Sequence, residues 1–193
     1  MGMLDPNQVI GILHGSVGDM VFVRMRNGKV YVRHMPLRKA GFNSGQVMSQ
    51  DQFKLALAYV KSIRQQLDKY AVYQAAARVR GKRACDLANA DFRHLPAIHD
   101  VDLSAYKGAI GQAIRVEAVD DFEVIGVLLA IADSSGALLE QGAAVLDRIS
   151  SRWVYLTQAA VPGGQTVAVH VTAVDRAANS VTRSLDHALP AAA

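Results

Sequence analysis

A chain of 193 residues holds one large or two small domains and can bury enough surface to fold without a disulfide or a metal staple. Its 51% hydrophobic and 20% charged residues are those of an ordinary globular protein, and its single cysteine, Cys85, excludes an intramolecular disulfide framework and a cysteine-based zinc site. The net charge of +4 conceals a split, since residues 1–95 carry 15 Lys and Arg against 6 Asp and Glu, while residues 96–193 carry 6 against 11. Such asymmetry points to two modules, one of which seeks an anionic partner: nucleic acid, or the acidic half of another copy.

The first residues, Met1-Gly-Met-Leu-Asp-Pro6, show neither the basic n-region nor the apolar h-region of a signal peptide. No apolar run reaches the roughly 20 residues that span a bilayer. The expectation is no membrane insertion, and a protein that is cytoplasmic or exported by a route needing no N-terminal signal. Val9–Gly18 is apolar with three glycines and reads as a short strand and a turn. Next, Met20–Met35 places two alternating runs of β-formers around Asn27-Gly28, the signal of a hairpin with a two-residue type I′ turn. That turn pairs Arg26 with Lys29, Arg24 with Tyr31, and Phe22 with Arg33. One face then carries Val21, Val23, Met25, Val30, Val32 and His34. The other carries Phe22, Arg24, Arg26, Lys29, Tyr31 and Arg33.

Pro36 stops the second run, and residues 37–45 read as a loop. Ser49 with Gln52 forms a capping box, after which Phe53, Leu57, Val60, Ile63, Leu67 and Tyr70 recur at helical spacing. The pattern continues to Arg80, with Gly81 as a C-terminal stop, a helix of about 48 Å. Tyr70 and Tyr73 mark a candidate kink. Ala84–Phe92 reads as a short second helix ended at Leu95-Pro96, and a domain boundary is placed between residues 95 and 96, where the charge changes sign. From Ile98 the period becomes two. Strands are predicted near 98–103, 111–119, 123–132, 137–142, 151–159, 165–174 and 179–185, separated by turn-rich segments. In the sixth, Val167, Val169 and Val171 face the core, and Trp153 in the fifth is a candidate core residue or inter-sheet anchor. Residues 189–193 form a tail. The predicted architecture is α+β: an N-terminal β-hairpin packed on a long helix (1–95), then a seven-stranded immunoglobulin-like β-sandwich (96–188).

Gly15-Ser-Val-Gly-Asp-Met-Val-Phe22, Asn27-Gly-Lys-Val-Tyr-Val-Arg-His-Met-Pro36 and Gln52-Phe-Lys-Leu-Ala-Leu-Ala-Tyr-Val-Lys61 resemble an uncharacterised bacterial family. Its members open with a Gly-Ser-x-Gly-x-x-Val-Phe strand and a Gly-Lys-x-Tyr-Val-Arg-x-x-Pro strand before a helix. The likeness covers residues 11–67; Phe42-Asn-Ser-Gly45 stands where the family has a Pro-rich linker. The family has no established activity, so the resemblance implies no catalytic residue. The second half is similar to bacterial immunoglobulin-like modules, with Ile114–Asp121 and Val171–Asn179 resembling the ends of their B and F strands. That similarity implies adhesion, spacing or assembly.

The chemistry-bearing groups fall into two sets. The face of Phe22, Arg24, Arg26, Lys29, Tyr31 and Arg33 sets cations beside aromatic rings, which suits phosphates and bases, or an acidic subunit surface. Arg78, Arg80, Lys82 and Arg83 add a second basic cluster. Asp100, Asp102, Asp120, Asp121 and Asp175 are expected at one pole of the sandwich, where oxygen ligands suit Ca²⁺ and Asx turns are the plainer reading. The six histidines lack ligand spacing, Cys85 has no sequence-adjacent base, and the Gly-x-Ser-x-Gly, Walker and dinucleotide-binding glycine patterns are absent. Adjacent Asp120 and Asp121 point apart on a strand end, which suits acid–base work poorly. The expectation is therefore a non-enzymatic structural or assembly protein forming homo-oligomers or filaments through its N-terminal strand and hairpin, with no cofactor and no small-molecule substrate. The alternative is a nucleic-acid-binding protein using the basic, aromatic hairpin face.

Overall fold

Glycine sets the first turn. Gly18 takes φ 58° between Val17 and Met20, so β1 (Gly15–Val17) folds back on β2 (Met20–Arg24). β2 then pairs with β3 (Val30–His34), giving a three-stranded antiparallel sheet in the order β1-β2-β3. The computed structural model describes residues 15–25, 29–35, 37 and 41–191. The predicted Asn27-Gly28 turn and Arg26 lie outside them.

The hairpin register corrects the expected one. Arg24 pairs with Val30, Val23 with Tyr31, Phe22 with Val32 and Val21 with Arg33. The Met25 N–H donates to the Lys29 carbonyl at 2.8 Å, so three residues, not two, lie between the closing pair. One extra residue shifts the pairing by one and exchanges every partner between faces. Phe22 and Arg24 therefore share a face with Val30, Val32 and His34, while Tyr31 and Arg33 share the other with Val21 and Val23.

The expected long helix is two helices. The first, α1 (Ser44–Ile63), starts earlier than Ser49 because Asn43 and Gln46 make the capping box. The Gln46 N–H donates to Asn43 Oδ1 at 2.8 Å, and the Asn43 N–H donates to Gln46 Oε1 at 3.0 Å. Residues 64–66 break the helix, with Gln66 at φ −98° and ψ 84°, ahead of the expected kink at Tyr70 and Tyr73. Following it, α2 (Leu67–Arg80) ends as predicted on Gly81, at φ 61° and ψ 30°. The last helix is α3 (Ala84–Arg93).

Eight strands follow where seven were expected: β4 (Ala97–Asp102), β5 (Ala113–Val119), β6 (Val124–Ala132), β7 (Leu138–Ala143), β8 (Val145–Asp147), β9 (Arg152–Leu156), β10 (Thr166–Asp175) and β11 (Ser180–Ala188). The additional one is the three-residue β8. They form two four-stranded antiparallel sheets, β4-β5-β9-β8 and β11-β10-β6-β7. Inward residues of both sheets, among them Ile114, Val116, Trp153, Leu129, Ile131 and Val169, make one core, so this part is a β-sandwich. Val167, Val169 and Val171 are wholly buried and Trp153 sits in the core, both as predicted. Leu189 also packs into that core, so the chain is ordered past the expected end of the sandwich at residue 188.

The chain divides into two compact units, Met1–Val47 and Met48–Ala193. The expected boundary at 95/96 falls inside the second, where the C-terminal end of α1 shares a cluster with α2 and α3. Val60, Ile63, Tyr73, Ala77, Leu87 and Ala88 are buried there, and Phe122, from the β5–β6 connection, packs against them. Phe53 and Leu57, expected on the buried helical face, are 46% and 50% exposed.

Candidate functional site

α3 carries an acid on its buried stripe. Leu87, Ala88 and Asp91 are its buried residues, and Asp91 is 0% exposed. Asp120, at the end of β5, and Asp175, the last residue of β10, meet it. One carboxylate oxygen from each of the three lies within 4.8 Å of the others. Asp175 is also wholly buried and Asp120 is half-buried.

Their remaining contacts are local. Asp120 Oδ2 accepts from the N–H groups of Phe122 and Glu123 at 2.9 and 3.1 Å, and Asp175 Oδ1 accepts from the Asn179 N–H at 2.7 Å. Tyr73 donates to Asp91 Oδ2, and the Tyr73 and Tyr59 hydroxyls lie 3.0 Å apart. Asp91 Oδ1 and Asp120 Oδ1 are buried with no hydrogen-bond partner. Burial, together with the charges of Asp175 and Asp120, pushes the Asp91 carboxyl up to about 7 against the pull of the Tyr73 hydrogen bond. Burial likewise raises Asp175, opposed by its bonds to Asn179. The Tyr73 hydroxyl is held well above the usual phenol range, by burial first and by Asp91 second.

Of the five acids predicted at the pole, the structure brings only Asp120 and Asp175 together. Asp121 pairs with His94 instead. Asp100 faces Arg152 at 3.6 Å, and Asp102 faces Arg115 at 4.0 Å while accepting from the Ser104 N–H, so opposite charges on β5 and β9 draw both away. Asp91, 29 positions before Asp120, went unpredicted. The signal for it was an acid four residues after Leu87 on an otherwise apolar stripe.

The predicted basic surface is also divided. In the first unit the register places Phe22 and Arg24 on one face of the sheet and Lys29, Tyr31 and Arg33 on the other. In the second unit, Arg80 donates to the Asp121 carbonyl at 3.0 Å and stacks over Phe122 at 5.4 Å. Arg83 grips Asp86 with two bonds of 2.8 and 2.7 Å, while Arg78 and Lys82 are exposed. Cys85 is a half-buried free thiol.

None of the first unit's described residues is buried. Val17, Met20 and Val32 are exposed on one face of the sheet, and Met25 and Tyr31 on the other. No helix among the described residues is long and apolar enough to cross a membrane.

No family model matches the chain, and no curated protein matches it. Among solved structures, CopC from Methylosinus trichosporium OB3b is similar at 15% identity and a TM-score of 0.35, over 47% of this chain and 89% of that one. A DUF4426 family protein from Pseudomonas aeruginosa PAO1 is similar at 14% identity and a TM-score of 0.38, over 51% and 93%. A lipoprotein from Bacteroides thetaiotaomicron is similar at 14% identity and a TM-score of 0.27, over 51% and 80%. At such identities and scores these likenesses assign the chain neither a family nor an activity.

Proposed function

We propose that this protein is a non-enzymatic assembly unit that forms homo-oligomers or filaments through its N-terminal sheet. The observation that carries the reading is a sheet with apolar side chains on both faces and no buried residue of its own among those described. Three short strands need a hydrophobic face covered to be stable, and exposed apolar surface on this scale marks an interaction site. A second copy is the partner that the charge distribution favours. The half of the chain up to residue 95 has a net charge of +9 and the half after it −5, an arrangement suited to head-to-tail contact.

The sandwich suits such a role. Its orders β4-β5-β9-β8 and β11-β10-β6-β7 correspond to A-B-E-D and G-F-C with one added strand, the arrangement of immunoglobulin-like modules. The expected donor segment, Val9–Gly18, is used in part within the chain, because Gly15–Val17 already pair with β2. Residues 9–14 lie outside those described. The nucleic-acid reading has less behind it, since the register leaves no single face with all the predicted cations and rings.

Light scattering across protein concentration tests this, on the full chain freed of nucleic acid. The expected result is a mass that grows with concentration above 20.8 kDa, reduced towards one chain by Val23→Asp and by Val32→Asp, one on each face of the sheet. A single-chain mass at every concentration overturns it, and growth only on addition of DNA or RNA favours the alternative.

A further inference from the structure

Three acids from three elements converge in the second unit with no basic partner. None of Asp91, Asp120 and Asp175 makes an ion pair among the described residues, and the nearby bases are engaged elsewhere. Arg176, next to Asp175, donates through Nε to Glu123 at 3.0 Å, His94 pairs with Asp121, and Arg80 is held by the Asp121 carbonyl and Phe122. Burying like charges without compensation is costly, so the cluster must be neutralised by protons or by a cation.

We propose that Asp91, Asp120 and Asp175 bind a hard divalent cation, calcium by the chemistry of the donors, which fastens α3 to the pole of the sandwich. The first support is the pair of orphaned oxygens. Asp91 Oδ1, on a side chain with no exposure at all, and Asp120 Oδ1 are buried without a partner, while the other oxygen of each carboxylate is satisfied by Tyr73 or by backbone N–H groups. Two such oxygens call for a proton or a cation between them, and Asp91 and Asp120 lie close enough to share either. The second is an excess of oxygen around Asn179. Its Nδ2 lies 3.2, 3.3 and 3.2 Å from the carbonyl oxygens of Asp91, Phe92 and His94, and 2.7 Å from Asp175 Oδ2. An amide nitrogen has two hydrogens for these four acceptors. The carbonyls come from the C-terminal end of α3, the negative end of its dipole.

The donor set selects the ion. The three side chains offer only oxygen ligands; the one thiol, Cys85, contacts Asp86, and the His94 imidazole is turned to Asp121. That composition suits calcium or magnesium over zinc. The burial favours calcium: Asp91 and Asp175 are wholly buried, and magnesium keeps several of its waters whereas calcium accepts a shell of protein oxygens.

Terbium, a luminescent stand-in for calcium, gives the test because Tyr73 bonds to a ligand residue and can sensitise its emission. The full chain should show saturable tyrosine-excited terbium emission that calcium displaces. Asp120→Asn and Asp175→Asn should abolish it and Asp100→Asn should leave it intact. Calcium should raise the wild-type melting temperature more than equal magnesium, a measurement that stands even if a variant fails to fold. The proposal is overturned by absence of saturable emission, by emission surviving Asp120→Asn in a folded protein, by equal loss in Asp100→Asn, or by a melting temperature that responds to pH and not to calcium.

Discussion

Asp91 shows how one residue sets the behaviour of its surroundings. Its carboxyl, ordinarily at 3.8, is pushed up to about 7 in the folded chain by burial and by the neighbouring acids. The groups around it are Tyr73 and, beyond, Tyr59, with Asp120, Asp175 and the charge of Arg176. A raised folded value means that the folded state holds its proton more tightly than the unfolded one. Without divalent cations, stability is therefore greater at low pH and falls as pH rises from about 4 to about 7. The raised Asp175 adds to the same slope. Asp91→Asn should flatten this fall, giving a variant more stable than wild type above pH 7 in metal-free buffer; melting curves across pH report it. A wild type whose stability rises through that interval would contradict the assignment. The place of Asp91 on the apolar stripe of α3 was legible in the sequence, but its meeting with the other two acids was not, for a physical reason. A helix brings it to Asp120 and Asp175 by tertiary packing, and no local spacing encodes that meeting.

At the scale of elements, period two in the second half was legible, and the strands fall close to where the alternation places them. β8 was not, because three residues, Val145–Asp147, are too short to display a period. The hairpin was legible as a hairpin, but its faces were not. A connection one residue longer than Asn27-Gly28 suggests inverts the pairing, so the expected basic, aromatic face is split. The first helix was expected to start at the Ser49–Gln52 capping box, and Asn43-Ser-Gly-Gln46 makes one six residues earlier instead. Loop glycines differ in what they carry. Gly108 has φ 92°, and a Cβ there would stand 2.4 Å from the Val161 carbonyl oxygen, in a loop whose N–H and C=O groups tie it to the sandwich rim. Gly136 has φ 85° but open space around it. Gly108→Ala should cost on the order of 3 kcal/mol and Gly136→Ala only about 1 kcal/mol, measured by denaturant unfolding. Equal costs would mean that backbone conformation alone, and not the approach of Val161, dictates glycine at position 108.

For the molecule as a whole, the two units differ in self-sufficiency. The second has a sandwich core and a helical cluster, each buried by its own residues. The first has no buried residue among those described, and its strands expose apolar side chains on both faces. The charge split was visible in the sequence before any element was placed, whereas the bare sheet was not, because an alternating strand reads the same whether or not anything covers it. The central claim is that a second copy supplies the cover. Hydrogen exchange at low and high protein concentration measures this most directly. The account predicts that the amides of β2 and β3 become protected as concentration rises, while those of β6 and β10 in the sandwich core are protected throughout. Fast exchange in β2 and β3 at every concentration would contradict it.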